Sequence, residues 1–413
     1  MRVGLVIEQF CPLRGGAEQW TYQFTCELLK LGHEVHVVAR HFAPETESMP
    51  IVAHRLPRAR SRLHLARLAE ERVRGLSLDV IHDMGVGWCC DIIHSHDGSR
   101  FAQWEQKLKL LPRWLRPLKQ RMIGVLPRYS QFRKLAARQF ADGRQIVLAL
   151  SEMVARDYQR CHAVRPERIR LVRNGVDTER FSPAHRPRYR QAVRRRLQVA
   201  DRELLLLFVG HDFQRKGLAT AIRAIGRLVA EGLPVRLAVV GGKRLGPARR
   251  LAWRCGAQRA VTLLGSVDDP VPYYAASDAF VLPTFYDPCS LGVLEAAACG
   301  LASVTTLYNG AGELLTEGVE AFLVADAADD RELARRLRLL LDPAVCRRMG
   351  EASRETALRH TIRRNCEEIV EVYEEVLARG ARCRQPAFAV RTRRDPNGHA
   401  AGPEGDCRLK VEN

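Results

Sequence analysis

The sequence predicts an α/β protein: two Rossmann-like, doubly wound parallel-sheet domains facing a central cleft. Three observations carry this. Short, near-continuous apolar runs alternate with helical patterns along most of the chain, as strands buried on both faces require. At 413 residues the chain is longer than one hydrophobic core usually serves. A polar, proline-containing stretch near residues 177–200 separates two series of such runs. Ligands of such sheets sit beyond the C-terminal strand ends, so the functional site belongs in the cleft.

In the first half, VGLVI (3–7) reads as a strand, followed by a helix over 17–31 and the strand EVHVVA (34–39). DVIHD (79–83) and DIIHSH (91–96) read as further strands. A long basic helical region comes next, then QIVLALS (145–151) and IRLVRNG (169–175). The second half opens with ELLLLFVG (203–210) and a helix over 219–231. It continues with RLAVVGG (236–242), a helix over 247–256, VTLLG (261–265), AFVL (279–282) and SVTT (303–306). The expected boundaries are 1–178 for the first domain, with a basic insertion at 101–138, and 179–360 for the second. Residues 361–384 form a closing amphipathic helix that crosses back to the first domain, and 385–413 a polar, disordered tail.

Composition narrows the class. Hydrophobic residues make up 46% of the chain, enough for a core in each half. No apolar run reaches the ~18 residues of a membrane-spanning helix. The opening MRVGLVIEQF runs directly into the patterned segment and reads as strand one, not as a signal peptide. Twelve cysteines without CxxC pairs suit a reducing cytosol and make a metal site an unlikely expectation. The net charge of +19 implies an acidic partner: nucleic acid, anionic lipid or a phosphorylated saccharide. Part of that charge is explained equally well as solvated arginine surface.

The segment PTFYDPCSLGVLEAAACG (283–300) carries the most chemistry. It follows the buried strand AFVL and leads into an alanine-rich helix. The free N–H groups at that helix start, around Ser290, Leu291 and Gly292, attract a phosphate. Asp287 and Glu295 flank the phosphate site; carboxylates repel phosphate but accept hydrogen bonds from the hydroxyls of a sugar and a ribose. A nucleotide-sugar, with a diphosphate between two polyols, suits the arrangement. Three other segments reach the same cleft. Gly15 and Gly16 after strand one allow close backbone approach before a helix, or form a plain turn. Arg215 and Lys216 precede a helix where a diphosphate takes both charges, or form a solvated basic loop. Arg173 and Asn174 in RNGVD, with Phe181 after them, are ligand groups or a turn at the join.

Together the GG loop, NGVD…F, xxRKG, acid-x7-Glu and CG resemble the retaining glycosyltransferases of family four, over roughly residues 1–380. The resemblance implies the GT-B fold. It implies that Arg215 and Lys216 hold the donor diphosphate with the backbone of Ser290, Leu291 and Gly292, that Asp287 contacts the transferred sugar, and that Glu295 contacts the ribose. It implies no cofactor and no metal, because the nucleotide-sugar is itself the substrate and cations with helix dipoles stabilise the leaving group. The chain departs from the family pattern in having Asp287 where Glu is usual and Ser290 where Gly is frequent. Within the family, DIIHSHD and the basic aromatic stretch after it are similar to the lipopolysaccharide core heptose glucosyltransferases. By that similarity Asp97 lies beside the donor sugar and orients the acceptor or acts as base. If the strand continues, His94 and His96 share one face and Asp97 points away. His96 is then a catalytic candidate or a core histidine, and Asp97 a catalytic or a loop carboxylate.

From Lys107 to Arg138 there are ten Lys or Arg and no Asp or Glu, with Trp104, Trp114, Tyr129 and Phe132 interleaved. Lys107, Lys109, Arg113, Trp114, Arg116, Lys119 and Arg121 are the candidate contacts of an anionic membrane surface. The same pattern fits a solvated hairpin with a buried leucine stripe, or, with less support, a nucleic-acid surface; no nucleic-acid module accompanies it. The expected activity is transfer of a hexose, glucose from UDP-glucose, to an anionic lipid-linked saccharide such as a lipopolysaccharide core. The setting is cytoplasmic, on the inner face of the membrane. The alternatives are a mannosyl- or galactosyltransferase of exopolysaccharide or glycolipid assembly, and a non-catalytic nucleotide-sugar or polyanion binder.

Overall fold

The protein's structure, a computed structural model, describes residues 1–141 and 143–380. The tail expected at 385–413, and residues 381–384 of the closing helix, lie outside the described residues. The first half contains β1 (Arg2–Val6), β2 (Gln9–Phe10), α1 (Gly16–Lys30), β3 (Glu34–Ala39), β4 (His41–Phe42), β5 (Val52–Arg55) and α2 (Arg62–Arg74). It continues with β6 (Val80–Asp83), β7 (Ile92–Ile93), α3 (Arg100–Lys109), α4 (Arg116–Val125), α5 (Pro127–Ala141), β8 (Ile146–Ala149), α6 (Glu152–His162) and β9 (Ile169–Leu171). Seven of these strands form a parallel sheet in the order β5-β3-β1-β6-β7-β8-β9, while β2 and β4 pair separately. The apolar residues of β1, β3, β6 and β8 are buried on both faces, which is why their sequences read as near-continuous apolar runs. Helix α1 covers one face with Trp20, Phe24 and Leu28, spaced four apart and all buried.

The second half contains α7 (Arg186–Arg196), β10 (Leu204–Val209), α8 (Leu218–Ala230), β11 (Val235–Val240), α9 (Gly246–Arg254), β12 (Val261–Gly265) and α10 (Val271–Ala276). Then come β13 (Ala279–Leu282), α11 (Leu291–Ala298), β14 (Ala302–Thr306), β15 (Ala321–Val324), α12 (Asp330–Leu339) and α13 (Pro343–Arg359). Its six strands are parallel in the order β12-β11-β10-β13-β14-β15. In each sheet the order reverses beside the first strand, β1 or β10, and loops following those strands carry the candidate ligand groups.

The closing helix α14 (Ile362–Ala378) starts at Thr361, whose hydroxyl accepts from the Arg364 N–H. Its buried Ile362, Cys366, Ile369 and Tyr373 pack in the core of the first domain. Asn365 accepts from the Trp20 indole at 3.0 Å. Val176 and Thr361 form a β-bridge where the chain leaves and re-enters that domain.

Two expectations need correcting. The strand read over 91–96 is only Ile92–Ile93. Past Ile93 the backbone leaves the sheet, and the His94 ring packs 5.0 Å from Trp20 and 3.2 Å (Nδ1) from His82 Nε2. The stretch 177–200 is not merely a polar join. It contains α7, whose Arg190 and Arg194 both bind the Asp278 carboxylate, at 2.6 and 3.0 Å, and so fasten the helix to the second domain. Among the described residues no helix is long and apolar enough to cross a membrane.

Candidate active site

The strand β13 ends at Leu282 and the chain turns through 283–290 into α11. Ser290 is the N-cap residue but its side chain caps nothing, so the first N–H groups of α11 are not satisfied by it. Its own N–H donates to Asn309 Oδ1 at 3.3 Å. Asp287, 5% exposed, forms an ion pair with the Lys216 ammonium. Burial pulls the Lys216 pKa down, and Asp287 opposes the fall. The loop carrying Lys216 is positioned by Gly217, at φ +76°, where a Cβ would stand 1.9 Å from Pro283 O. Arg215 donates to Tyr286 O at 3.1 Å and lies 3.7 Å from Asp212. The second acid, Glu295, is buried on α11 and accepts from Tyr274 OH at 2.7 Å; burial raises its pKa.

The first domain meets this face directly. Gly15, extended, precedes α1, and a Cβ on Gly16 would come within 3.3 Å of Leu291 Cδ1. Leu291 packs against the cores of both domains. Gly292 O accepts from Tyr274 OH at 3.3 Å. The structure therefore brings Gly15, Gly16, Arg215, Lys216, Asp287, Ser290, Leu291, Gly292 and Glu295 to one region. Arg173 and Asn174 are near but already engaged. Asn174 is buried, donating to Cys289 O at 2.9 Å while its Oδ1 has no partner, and Arg173 lies 3.8 Å from Glu313.

Asp97 lies on the loop after β7 and pairs with Arg100 at the start of α3. It lines a cavity of about 270 Å³ with Glu8, Arg14, Glu18, Arg62 and Arg100, in which acids and guanidinium groups are balanced. Burial raises the Glu18 carboxyl pKa. His96 stacks 4.5 Å from both Trp20 and His94, and its Nε2 is shut off from water with no partner. Burial pushes its pKa down to about 4, so it is a neutral imidazole near pH 7. The shared strand face expected for His94 and His96 is not formed, because the strand ends at Ile93; the two rings meet instead at 4.5 Å, tilted by 34°.

The candidate membrane residues divide. Lys107 lies 3.7 Å from Asp212, and Lys109 donates to Tyr308 OH at 3.4 Å, so both reach across the cleft to the second domain. Arg116 donates to the Leu111 and Lys109 carbonyls and holds the α3–α4 turn. Arg113 and Arg121 are exposed, and Lys119 half-buried. Trp114 (77% exposed), Leu118, Met122 and Val125 (75%) repeat at helical spacing and stand in solvent. The leucine stripe of a solvated hairpin is thus not covered at Leu118.

Glu8, Arg14, Glu18, Tyr274, Tyr286 and Glu313 were not singled out from sequence. Glu313 accepts from the Glu152 and Met153 N–H groups, at 2.7 and 2.8 Å, and so caps α6 from the other domain. No local spacing signals such a pairing.

Comparison with known proteins agrees with this geometry. The family described as Glycosyltransferase Family 4 matches residues 14–180, and Glycosyl transferases group 1 matches 190–356. The D-inositol 3-phosphate glycosyltransferase of Corynebacterium jeikeium is 28% identical over 63% of this chain and 64% of its own length. The lipopolysaccharide glucosyltransferase WaaG of Escherichia coli is 26% identical over 55% of this chain and 61% of its own. The alignments thus span less than two thirds of these relatives. The crystal structure of WaaG superposes with a TM-score of 0.77 at 19% identity, covering 90% of this chain and 99% of that one. Anabaena Alr3699/HepE in complex with UDP-glucose superposes at 0.68 with 18% identity, covering 91% and 100%. At these identities the structures establish the fold, GT-B.

Proposed function

We propose, from the premise that the chain belongs to the group 1 glycosyltransferases and carries a family 4 domain, that it transfers glucose from UDP-glucose to an anionic lipid-linked saccharide such as a lipopolysaccharide core. The observation that carries the donor half is the buried Lys216–Asp287 pair beside the unfilled start of α11, against the Gly15–Gly16 corner. A diphosphate arriving there takes the Lys216 ammonium, Arg215 and the α11 N–H groups. Asp287 is thereby released to accept from a sugar hydroxyl. The Glu295 carboxylate is set for ribose hydroxyls. The UDP-glucose complex of a GT-B relative supports that donor.

Transfer proceeds with retention of configuration. The acceptor oxygen bonds to the anomeric carbon on the face from which the diphosphate departs, the carbon–oxygen bond to phosphate breaks, and the hydroxyl proton passes to the departing phosphate oxygen. Lys216 and Arg215 stabilise the charge developing there. Asp97 orients the acceptor hydroxyl, and His96, neutral, offers a hydrogen bond without adding charge.

The exposed Trp114–Leu118–Met122–Val125 stripe, set among lysines and arginines, supports seating on the anionic inner face of the cytoplasmic membrane. A thermal-shift panel of UDP-, GDP- and ADP-sugars tests the donor, because a bound ligand raises the melting temperature by mass action. Stabilisation by UDP-glucose, with slow UDP release in the absence of acceptor, is the expected result. Absence of both with every donor overturns the reading. Sedimentation with anionic against neutral vesicles tests the membrane surface; equal or absent binding to the two removes it.

A further inference from the structure

Retaining transfer needs the acceptor oxygen, held by the first domain, and the anomeric carbon, held by the second, within bonding approach of one another. Something must set that distance across the cleft. We infer that Tyr286 does so: it is a positioning residue that ties the loop of Asp97 to the loop of Asp287, with Asp157 and Gly98 as its counterparts in the first domain.

Tyr286 directly precedes Asp287, and its side chain crosses into the first domain, where it is 1% exposed. Its hydroxyl donates to Asp157 Oδ2 at 3.0 Å and accepts from Ser99 N–H at 3.3 Å. Ser99 is two residues beyond Asp97 and is the N-cap of α3. Between them Gly98 sits at φ +64°, where a Cβ would stand 2.7 Å from the Tyr286 hydroxyl and 3.0 Å from Pro288 Cγ. A side chain there is disfavoured twice, by backbone and by space.

Both ends of the junction are braced. Asp157 Oδ1 takes Arg160 at 3.2 Å, and Arg160 is held by both oxygens of Glu105, at 3.0 and 2.6 Å. On the donor side, Tyr286 O accepts from Arg215, a diphosphate ligand in the reading above. Asp287 therefore adjoins the residue that carries the phenol, and Asp97 lies two residues from Ser99, whose N–H donates to that phenol. The junction does not touch the bound sugar in this account; it acts by holding Asp97 and Asp287 in register. The inference rests on the glycosyltransferase reading and adds to it a residue that governs transfer without governing donor capture.

The test separates three quantities in wild type, Tyr286→Phe and Asp157→Asn: UDP-glucose Kd, UDP release without acceptor, and transfer to a lipopolysaccharide inner-core saccharide. The expected result is a donor Kd within about twofold of wild type and transfer reduced about 10- to 100-fold, as for loss of one hydrogen bond to a buried carboxylate at a step that depends on it. The ratio of hydrolysis to transfer rises accordingly. A stabilising role alone would raise the donor Kd and lower hydrolysis and transfer together, and that outcome overturns the inference, as does unchanged transfer in both variants. Should Tyr286→Phe not fold, Asp157→Asn reads the same junction from the opposite side. A wild-type protein that neither binds nor hydrolyses any nucleotide-sugar overturns the functional reading first, and so is distinguishable from failure of the junction alone.

Discussion

Lowering the pH from 7 to 5.5 should destabilise the first domain through its buried histidines. His82, His94 and His96 lie with their rings in contact between Trp20 and Tyr373, and His162 packs against Phe140. Burial pushes His82 down to about 3, His96 and His162 to about 4, and His94 well below the ordinary 6.5. Above pH 6.5 folded and unfolded chains are both neutral at these groups and nothing is lost. Below 6.5 the unfolded chain binds protons that the folded chain refuses, so stability falls with pH until the folded pKa values are reached. Over this interval the loss is about 1.3 kcal/mol for each of His82, His96 and His162, or about 4 kcal/mol for the three, and His94 acts in the same direction. Asp83 works in the opposite direction. Burial raises its carboxyl to about 6, and the protonation that follows recovers about 0.8 kcal/mol. The net loss of about 3 kcal/mol from these valued groups is a large share of the ~5–15 kcal/mol that holds a typical domain together. Urea unfolding at the two pH values, followed by exchange protection of the β1 and β6 amides, measures it. His96→Gln should remove about 1.3 kcal/mol of the pH-dependent part, whatever it does to stability at pH 7. A stability that is flat or rising from pH 7 to 5.5 refutes the reasoning.

Lys216→Met leaves Asp287 buried without its cation and should cost about 3–5 kcal/mol in calorimetry; adding Asp287→Leu should recover most of that stability but no activity. Glu295→Gln keeps a partner for Tyr274 and should weaken UDP-glucose about tenfold by isothermal titration, with little change in melting temperature. Glu313→Gln removes a charge from the start of α6 and should lower the melting temperature by the equivalent of about 0.5–1.5 kcal/mol, less at high salt. Replacing Trp114 and Leu118 together by serine should reduce sedimentation with anionic vesicles at least tenfold while sparing activity on a lipid-free acceptor.

Three strands, Glu34–Ala39, Val261–Gly265 and Ala279–Leu282, were legible to the residue, because largely apolar runs are bounded there by turn or polar residues. Elements with weaker apolar signals were not. β5, VAHR, is an edge strand with three of its four residues exposed, and α2 presents a largely charged surface that masks Leu65, Ala69 and Val73. The grouping of Arg215, Lys216, Asp287 and Glu295 in one region was readable since these residues lie in short segments: Arg215 and Lys216 in one loop, Asp287 to Glu295 in another. The partners that hold those groups were not. Tyr286 and Asp157 are 129 residues apart, Trp20 and Asn365 are 345 apart, and each pairing is created by the fold alone. His96 could be placed beside His94 from sequence, but only the packing of Trp20 above both rings decides that they stay neutral.

The bridge between Val176 and Thr361 has a genetic consequence. The chain departs the first domain at one strand of this bridge and returns at the other, so the second domain is an insertion within a single parental unit, tethered by two adjacent cords. Gly175 is pressed against one of them, where a Cβ would meet Thr361 O at 2.4 Å. Truncation ahead of Ile362 therefore removes a piece of the opposite domain, with Asn365 and Tyr373 taken from Trp20 and His82. The second domain is the half that can be excised as one continuous gene fragment; the first domain can be made separately only by splicing its two ends together.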